Sequence, residues 1–78
     1  MTTIHILGTG CAKCNKLYET TDKTARELGL EYELIKVTDM MEFINFGVMI
    51  TPALVVNGTL KVAGKIPSDS DLKKFLSE

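Results

Sequence analysis

The chain has 78 residues, of which 45% are hydrophobic and 24% charged, with a formal net charge of -1. This composition is too apolar for a disordered chain, and the length predicts one domain, residues 1–78, that buries about 60% of the unfolded chain's surface. The balance of 9 basic and 10 acidic residues excludes the strongly positive surface that binds nucleic acid. No apolar run suits a membrane span or a signal peptide, so we expect a cytoplasmic monomer without nucleic-acid or membrane partners.

The first half of the chain predicts a strand, a helix and a second strand. Residues 3–7 form a nearly continuous apolar run, which is typical of a strand buried on both faces. Residues 12–28 carry apolar side chains at spacings of three and four, which indicates an amphipathic helix that ends at Gly29. Its predicted apolar face consists of Cys14, Leu17, Tyr18, Thr21, Ala25 and Leu28. Residues 32–37 predict the second strand, and this succession favours a parallel, right-handed crossover.

A short second helix follows. Asp39 and Glu42 have the spacing of a helix-capping pair, and Gly47 is placed to end the helix after about residue 46. Phe43 and Ile44 are its predicted buried face.

The last third of the chain predicts a hairpin and a closing helix. Asn57-Gly58 separates the β-rich runs 53–56 and 59–63, and this dipeptide is the preferred two-residue turn between antiparallel strands. Ser68 and Asp71 form a capping-box pattern for the terminal helix. That helix is predicted to bury Leu72, Phe75 and Leu76. The predicted order is β-α-β-α-β-β-α.

Both cysteines lie in one motif, Cys11-Ala12-Lys13-Cys14, at the predicted start of the first helix. Residues 8–10, Gly-Thr-Gly, predict a flexible turn that allows close approach of the backbone. Residues three apart share one face of a helix, so the two sulfurs suit either dithiol–disulfide exchange or capture of a soft metal ion. A permanent structural disulfide is disfavoured in a reducing compartment.

The Gly-x-Gly-Cys-x-x-Cys segment after a strand resembles the heavy-metal-associated domain of copper chaperones, in which two thiolates bind copper(I). In that family a hairpin follows the first helix and the fold ends on a strand, whereas here a helix ends the chain. Thr9 also stands where that family usually has methionine. A copper carrier therefore remains as an alternative from another functional class.

Nearly the whole chain resembles a small thioredoxin-like or glutaredoxin-like protein. The resemblance rests on Cys11 and Cys14 after the first strand, Thr51-Pro52 before the third, the hairpin and the closing helix. It implies an α/β thioredoxin-like fold with a four-stranded mixed sheet flanked by three helices. It also implies that Pro52 is cis and lies against the cysteines, and that Thr51 offers backbone hydrogen bonds to substrate. A non-catalytic thioredoxin-like adaptor is the second alternative.

The chemistry of exchange assigns different roles to the two thiols. Cys11, at the positive end of the helix dipole and near Lys13, is the predicted nucleophile. Cys14, on the apolar face, is the predicted resolving thiol. Gly10, Ala12 and Lys13 are the predicted supporting residues.

The expected function is a protein disulfide oxidoreductase whose only redox group is the Cys11–Cys14 disulfide. Its expected partners are protein disulfides and an electron donor, either glutathione or a thioredoxin-reductase-like enzyme. Ala12-Lys13 replaces the Gly-Pro usual in thioredoxins and the Pro-Tyr usual in glutaredoxins, so the subfamily and the donor stay open. His5 stands where thioredoxins carry a buried acid, and either assists proton transfer to Cys14 or packs in the core.

Overall fold

The computed structural model describes residues 1–10 and 12–77. Its elements, in chain order, are β1 (Thr2–Leu7), α1 (Ala12–Glu27), β2 (Tyr32–Val37), α2 (Met40–Asn45), β3 (Ala53–Val56), β4 (Thr59–Ala63) and α3 (Asp69–Ser77). No helix in these two ranges is both long enough and apolar enough to cross a membrane.

The four strands form one mixed sheet in the order β2-β1-β3-β4. β1 runs parallel to β2 and antiparallel to β3, and β3 runs antiparallel to β4. The β3–β4 register shifts between Leu54 and Val55. The predicted α/β, thioredoxin-like architecture with a parallel first crossover is therefore confirmed.

The sheet separates two apolar clusters. On one face, Ile4 and Ile6 of β1 pack with residues of α1 and α3, among them Leu17 and Leu72. On the other face, Leu7 packs with Phe43 of α2. Side chains alternate between the two faces of a strand, so β1 contributes to both clusters, as the continuous apolar run predicted.

The C-terminal end of α1 shows why the prediction that Leu28 lies on the apolar face of the helix is wrong. Gly29 has φ +68°, and its N–H donates to the Arg26 carbonyl at 3.0 Å while the Leu30 N–H donates to the Ala25 carbonyl at 3.2 Å. This pair of bonds is the Schellman arrangement, in which the residue before the glycine is the helix cap. Leu28 occupies that position and is 36% exposed, so it lies outside the buried face that the spacing predicted.

Helix α2 also differs from its predicted packing. The Asp39 carboxylate accepts a hydrogen bond from the Met41 N–H at 2.9 Å, which confirms Asp39 as the N-cap. Phe43 is buried, but Ile44 is 69% exposed. Consecutive residues on a helix point about 100° apart, so with Phe43 directed at the core the side chain of Ile44 points away from it. Phe46, three residues after Phe43, is the second apolar contact instead.

The predicted hairpin and terminal cap are both present. Asn57 and Gly58 have φ values of 51° and 82°, as the two-residue turn requires. Asn57 also binds β1, because its side-chain oxygen accepts from the Thr3 N–H at 2.9 Å. Ser68 caps α3 by accepting a hydrogen bond from the Asp71 N–H at 3.2 Å. Leu72 and Leu76 of α3 are buried, and Phe75 is half-buried.

Candidate active site

Strand register brings the segments of the predicted site to one end of the sheet. Leu7, the last residue of β1, pairs with Val37 on one side and with Ala53 on the other. Gly8 follows Leu7 along the chain, and Pro52 precedes Ala53. The loop that leads into α1 and the segment that leads into β3 therefore leave the sheet side by side.

Backbone hydrogen bonds fix both segments. The Gly8 N–H donates to the Val37 carbonyl at 2.9 Å, which extends the parallel pairing one residue beyond β1. The Gly64 N–H donates to the Pro52 carbonyl at 2.8 Å and attaches the end of β4 to the same region. Backbone hydrogen bonds therefore hold both segments in place at this end of the sheet.

Cys14 is buried on the first turn of α1, with 1% of its surface exposed. Its sulfur lies against Gly8: a Cβ placed on Gly8 would be 2.2 Å from Sγ and 2.8 Å from Cβ of Cys14. The sequence pattern marked Gly8 only as part of a flexible turn and did not indicate this contact. The available signal was a glycine directly after a buried strand and three residues before the first cysteine.

The other predicted residues around the cysteines are exposed. Cys11, the predicted nucleophile, lies outside the described residues, so its role stays a prediction. Ala12 and Lys13 face solvent at the start of α1, and no acidic residue lies in its first turn. Gly10 is exposed and has φ +91°, a conformation that residues with a Cβ resist. The positive helix end next to the motif therefore carries no opposing carboxylate in that turn.

The Thr51–Pro52 peptide bond is cis, and Pro52 is fully buried. The two residues before this pair are exposed, Met49 by 97% and Ile50 by 62%. Ile50 also lies over Gly64, where an added Cβ would be 2.8 Å from the Ile50 Cγ2 atom. The buried proline is therefore preceded by apolar side chains that face outward.

A contact between β2 and α1 lies beside Cys14. The Lys36 ammonium donates a hydrogen bond to the Asn15 side-chain oxygen at 2.9 Å and lies 5.7 Å from the centre of the Tyr18 ring. Asn15 directly follows Cys14, so this contact holds the first turn of α1 to the sheet. No local pattern predicts this contact, because Asn15 and Lys36 are 21 residues apart in the chain.

The described residues do not form a metal-binding cluster. Within 1–10 and 12–77, no group of three or more His, Cys, Asp or Glu side chains is arranged to hold a metal ion. A two-thiolate copper site would need Cys11, which lies outside those ranges.

The sequence matches known thioredoxins along nearly its whole length. The profile described as a thioredoxin domain matches residues 2–77. This chain belongs to the thioredoxin family. It is 42% identical over 76 residues to a thioredoxin of Methanocaldococcus jannaschii, covering 97% of this chain and 87% of the relative. It is 38% identical over 77 residues to a thioredoxin of Methanothermobacter thermautotrophicus, covering 99% of this chain and all of the relative.

A solved structure shares the fold of this thioredoxin-family chain. It is described as thioredoxin-2, a component of the malaria parasite protein secretion machinery. The two superpose with a TM-score of 0.73 at 19% identity, covering 99% of this chain and 82% of the other. The thioredoxin-domain match and the two thioredoxin relatives confirm the resemblance to the thioredoxin superfamily and support a thioredoxin-like redox function.

His5 was predicted either to assist proton transfer to Cys14 or to pack in the core. In the structure it packs on the face of the sheet that α2 covers. Its ring centre lies 4.8 Å from that of Phe46, and Phe46 packs on the cluster around Phe43. Its Nδ1 atom is buried and has no hydrogen-bond partner among residues 1–10 and 12–77. Because α1 covers the opposite face of the sheet, this geometry gives no support to proton transfer from His5 to Cys14.

A cluster of polar side chains attaches the second half of α1 to β2. The Asp22 carboxylate on α1 accepts hydrogen bonds from the Tyr32 hydroxyl of β2 and from the Arg26 guanidinium. The Tyr32 hydrogen bond, followed by Arg26, holds the pKa of Asp22 below its usual value. The Asp22 carboxylate in turn raises the pKa of Tyr32. Helix α1 is thus attached to β2 at two positions, through Lys36 beside the first turn and through Tyr32 in the second half of the helix.

Proposed function

We propose that this thioredoxin-family protein is a thiol–disulfide oxidoreductase that reduces or exchanges protein disulfides through Cys11 and Cys14. The observation that carries the proposal is the buried position of Cys14 on the first turn of α1, at the same end of the sheet as Pro52. A thiol with 1% exposure is inaccessible to a folded protein substrate, so we expect Cys14 to react with a sulfur of its own chain, that of Cys11 three residues before it.

The proposed reaction has two exchange steps. The Cys11 thiolate attacks one sulfur of the substrate disulfide, and the other substrate sulfur leaves as a thiolate. Cys14 then loses its proton and attacks Cys11 Sγ, which releases the second substrate thiolate and leaves a Cys11–Cys14 disulfide. Two electrons pass from the protein to the substrate. An electron donor then reduces the Cys11–Cys14 disulfide back to the dithiol. We propose that in the cytoplasm this donor is either a thioredoxin-reductase-like enzyme or glutathione.

Substrate docking is proposed for the surface beside Pro52. The outward-facing side chains of Met49 and Ile50 supply apolar area, and methionine adapts its shape to varied partners. In the proposed complex, the Thr51 backbone forms hydrogen bonds with an extended substrate segment that carries the disulfide.

Turnover of insulin disulfides with dithiothreitol as donor tests the proposal. We expect catalysis by the wild-type protein and by Ser70→Ala, a surface control on α3, and none by Cys11→Ala. The assay is repeated with copper(I). Tight binding of copper(I) by both cysteines without insulin turnover would favour the copper carrier, and neither copper binding nor turnover would favour the adaptor.

A further inference from the structure

The close approach of Gly8 to Cys14 assigns a role that sequence patterns did not indicate. We propose that Gly8 is a positioning residue for the resolving step: its missing side chain forms the seat that holds Cys14 Sγ in place for attack on the mixed disulfide. This inference rests on the proposed function, because resolution exists only if the protein exchanges disulfides.

The requirement for glycine at this position is steric. A Cβ on Gly8 would lie 2.2 Å from Cys14 Sγ and 2.8 Å from Cys14 Cβ, closer than non-bonded atoms approach. Gly8 does not have the positive φ of Gly10, Gly29, Gly47, Gly58 and Gly64. A residue with a side chain can therefore adopt its backbone conformation, and only the space taken by Cys14 excludes it.

Contacts hold both the Gly8 backbone and the first turn of α1 in place. Gly8 is buried and bonded to β2 through the 2.9 Å hydrogen bond to the Val37 carbonyl. Cys14 is buried on α1, one turn before the fully buried Leu17, and Lys36 holds the adjacent Asn15. An added methyl group therefore displaces Cys14: rotation about the Cα–Cβ bond moves Sγ away, but the 2.8 Å contact with Cys14 Cβ is relieved only by a shift of the first turn of α1.

This displacement affects one step of the proposed cycle. In resolution, a bond forms between the sulfurs of Cys14 and Cys11, the mixed-disulfide bond breaks, and the substrate thiolate leaves with the electron pair. The first step forms the bond between Cys11 and substrate and does not use Cys14. A misplaced Cys14 should slow the second step and leave the first unchanged.

Single-turnover kinetics separate the two steps. The reduced protein is mixed with one equivalent of dithiobis(nitrobenzoate), which releases one coloured thiolate on attack by Cys11 and a second on resolution by Cys14. For Gly8→Ala we expect the first phase to stay within about twofold of wild type and the second to slow roughly 10- to 100-fold, since a misplacement of about 1 Å can cost about 100-fold.

Gly47→Ala is the matched control. Unlike Gly8, Gly47 has a backbone that resists substitution, with φ +75°, so Gly47→Ala is expected to cost stability. No atom lies within 4 Å of the point that a Cβ on Gly47 would occupy, and Gly47 follows α2, away from Cys14. We expect both phases of Gly47→Ala to match wild type, so that lost stability and lost positioning can be told apart. An unchanged second phase in Gly8→Ala, or equal slowing of both phases, overturns only the role of Gly8 and leaves the proposed function standing. A wild-type protein without a second phase overturns the proposed function and this role with it.

Thermal unfolding of a double-mutant cycle tests the contact itself. Because Cys14→Gly removes both Sγ and Cβ, the two atoms that the added methyl group would meet, Gly8→Ala should lower the midpoint temperature less in that background than in wild type. An equal fall in both backgrounds contradicts the contact. If Gly8→Ala alone does not fold, the inference requires Gly8→Ala/Cys14→Gly to be at least as stable as Cys14→Gly alone, and a further loss of stability in the double variant overturns it.

Discussion

The burial of Cys14 predicts a large difference in thiol reactivity between the folded and unfolded protein. In a Cys11→Ala variant, Cys14 is the sole remaining cysteine. Only 1% of its surface is exposed, so an alkylating reagent reaches the sulfur after the first turn of α1 opens. Exposing a buried apolar side chain costs about 1.5–3 kcal/mol, and Cys14, which is small, belongs at the lower end. We therefore expect iodoacetamide to react at least about 10-fold more slowly than with the unfolded chain.

The assay follows alkylation by intact mass at one pH, with and without denaturant. The comparison variant is Cys14→Ala, in which Cys11 is the remaining cysteine and the proposed nucleophile. We expect its alkylation in the folded state to be much faster than that of Cys14. If Cys14 reacts in folded Cys11→Ala as fast as in denaturant, then Cys14 is not a protected resolving thiol and the division of roles fails.

Two further predictions concern stability. Leu72 on α3 is fully buried, so Leu72→Ala should lower the free energy of unfolding, measured in urea, by about 2–5 kcal/mol. Leu60 is 41% exposed, so the control Leu60→Ala should change it by less than about 0.5 kcal/mol. Similar losses in the two variants would contradict the described core. Tyr32→Phe removes the main cause of the lowered Asp22 pKa, so wild type should be the more stable above about pH 4 and should lose this advantage as pH falls through the folded-state pKa of Asp22. Tyr18→Phe, which also removes only a hydroxyl group, serves as its control. A loss of stability in Tyr32→Phe that does not change with pH would contradict the hydrogen bond between Tyr32 and Asp22.

Sequence patterns that depend only on local backbone geometry were sufficient to predict most of the helices, strands and turns. Gly29 and the Asn57-Gly58 pair require positive φ, and both lie where glycine or asparagine tolerates it. Their positions set the end of α1 and the β3–β4 turn without knowledge of the rest of the chain. The periodicity of α1 also predicted the burial of Cys14 and Leu17.

Features that depend on contacts distant in sequence could not be predicted in the same way. Ile44 and Phe43 are equally apolar by pattern, and only the docking of α2 on Leu7 decides that Phe43 is buried. The seat of Cys14 against Gly8 depends on the height of α1 above the sheet, which no spacing encodes. The packing of His5 on Phe46 likewise follows from which face of β1 the helix α2 covers.

The central claim is that Cys11 and Cys14 form one reversible two-electron couple. Its most direct test is equilibration of the wild-type protein in a series of glutathione redox buffers, followed by acid quenching and intact mass measurement. We predict a single two-electron transition between a dithiol and a form lighter by two hydrogens, absent in both Cys11→Ala and Cys14→Ala. Independent glutathione adducts on the two cysteines, or a dithiol that never loses the two hydrogens, would contradict the account.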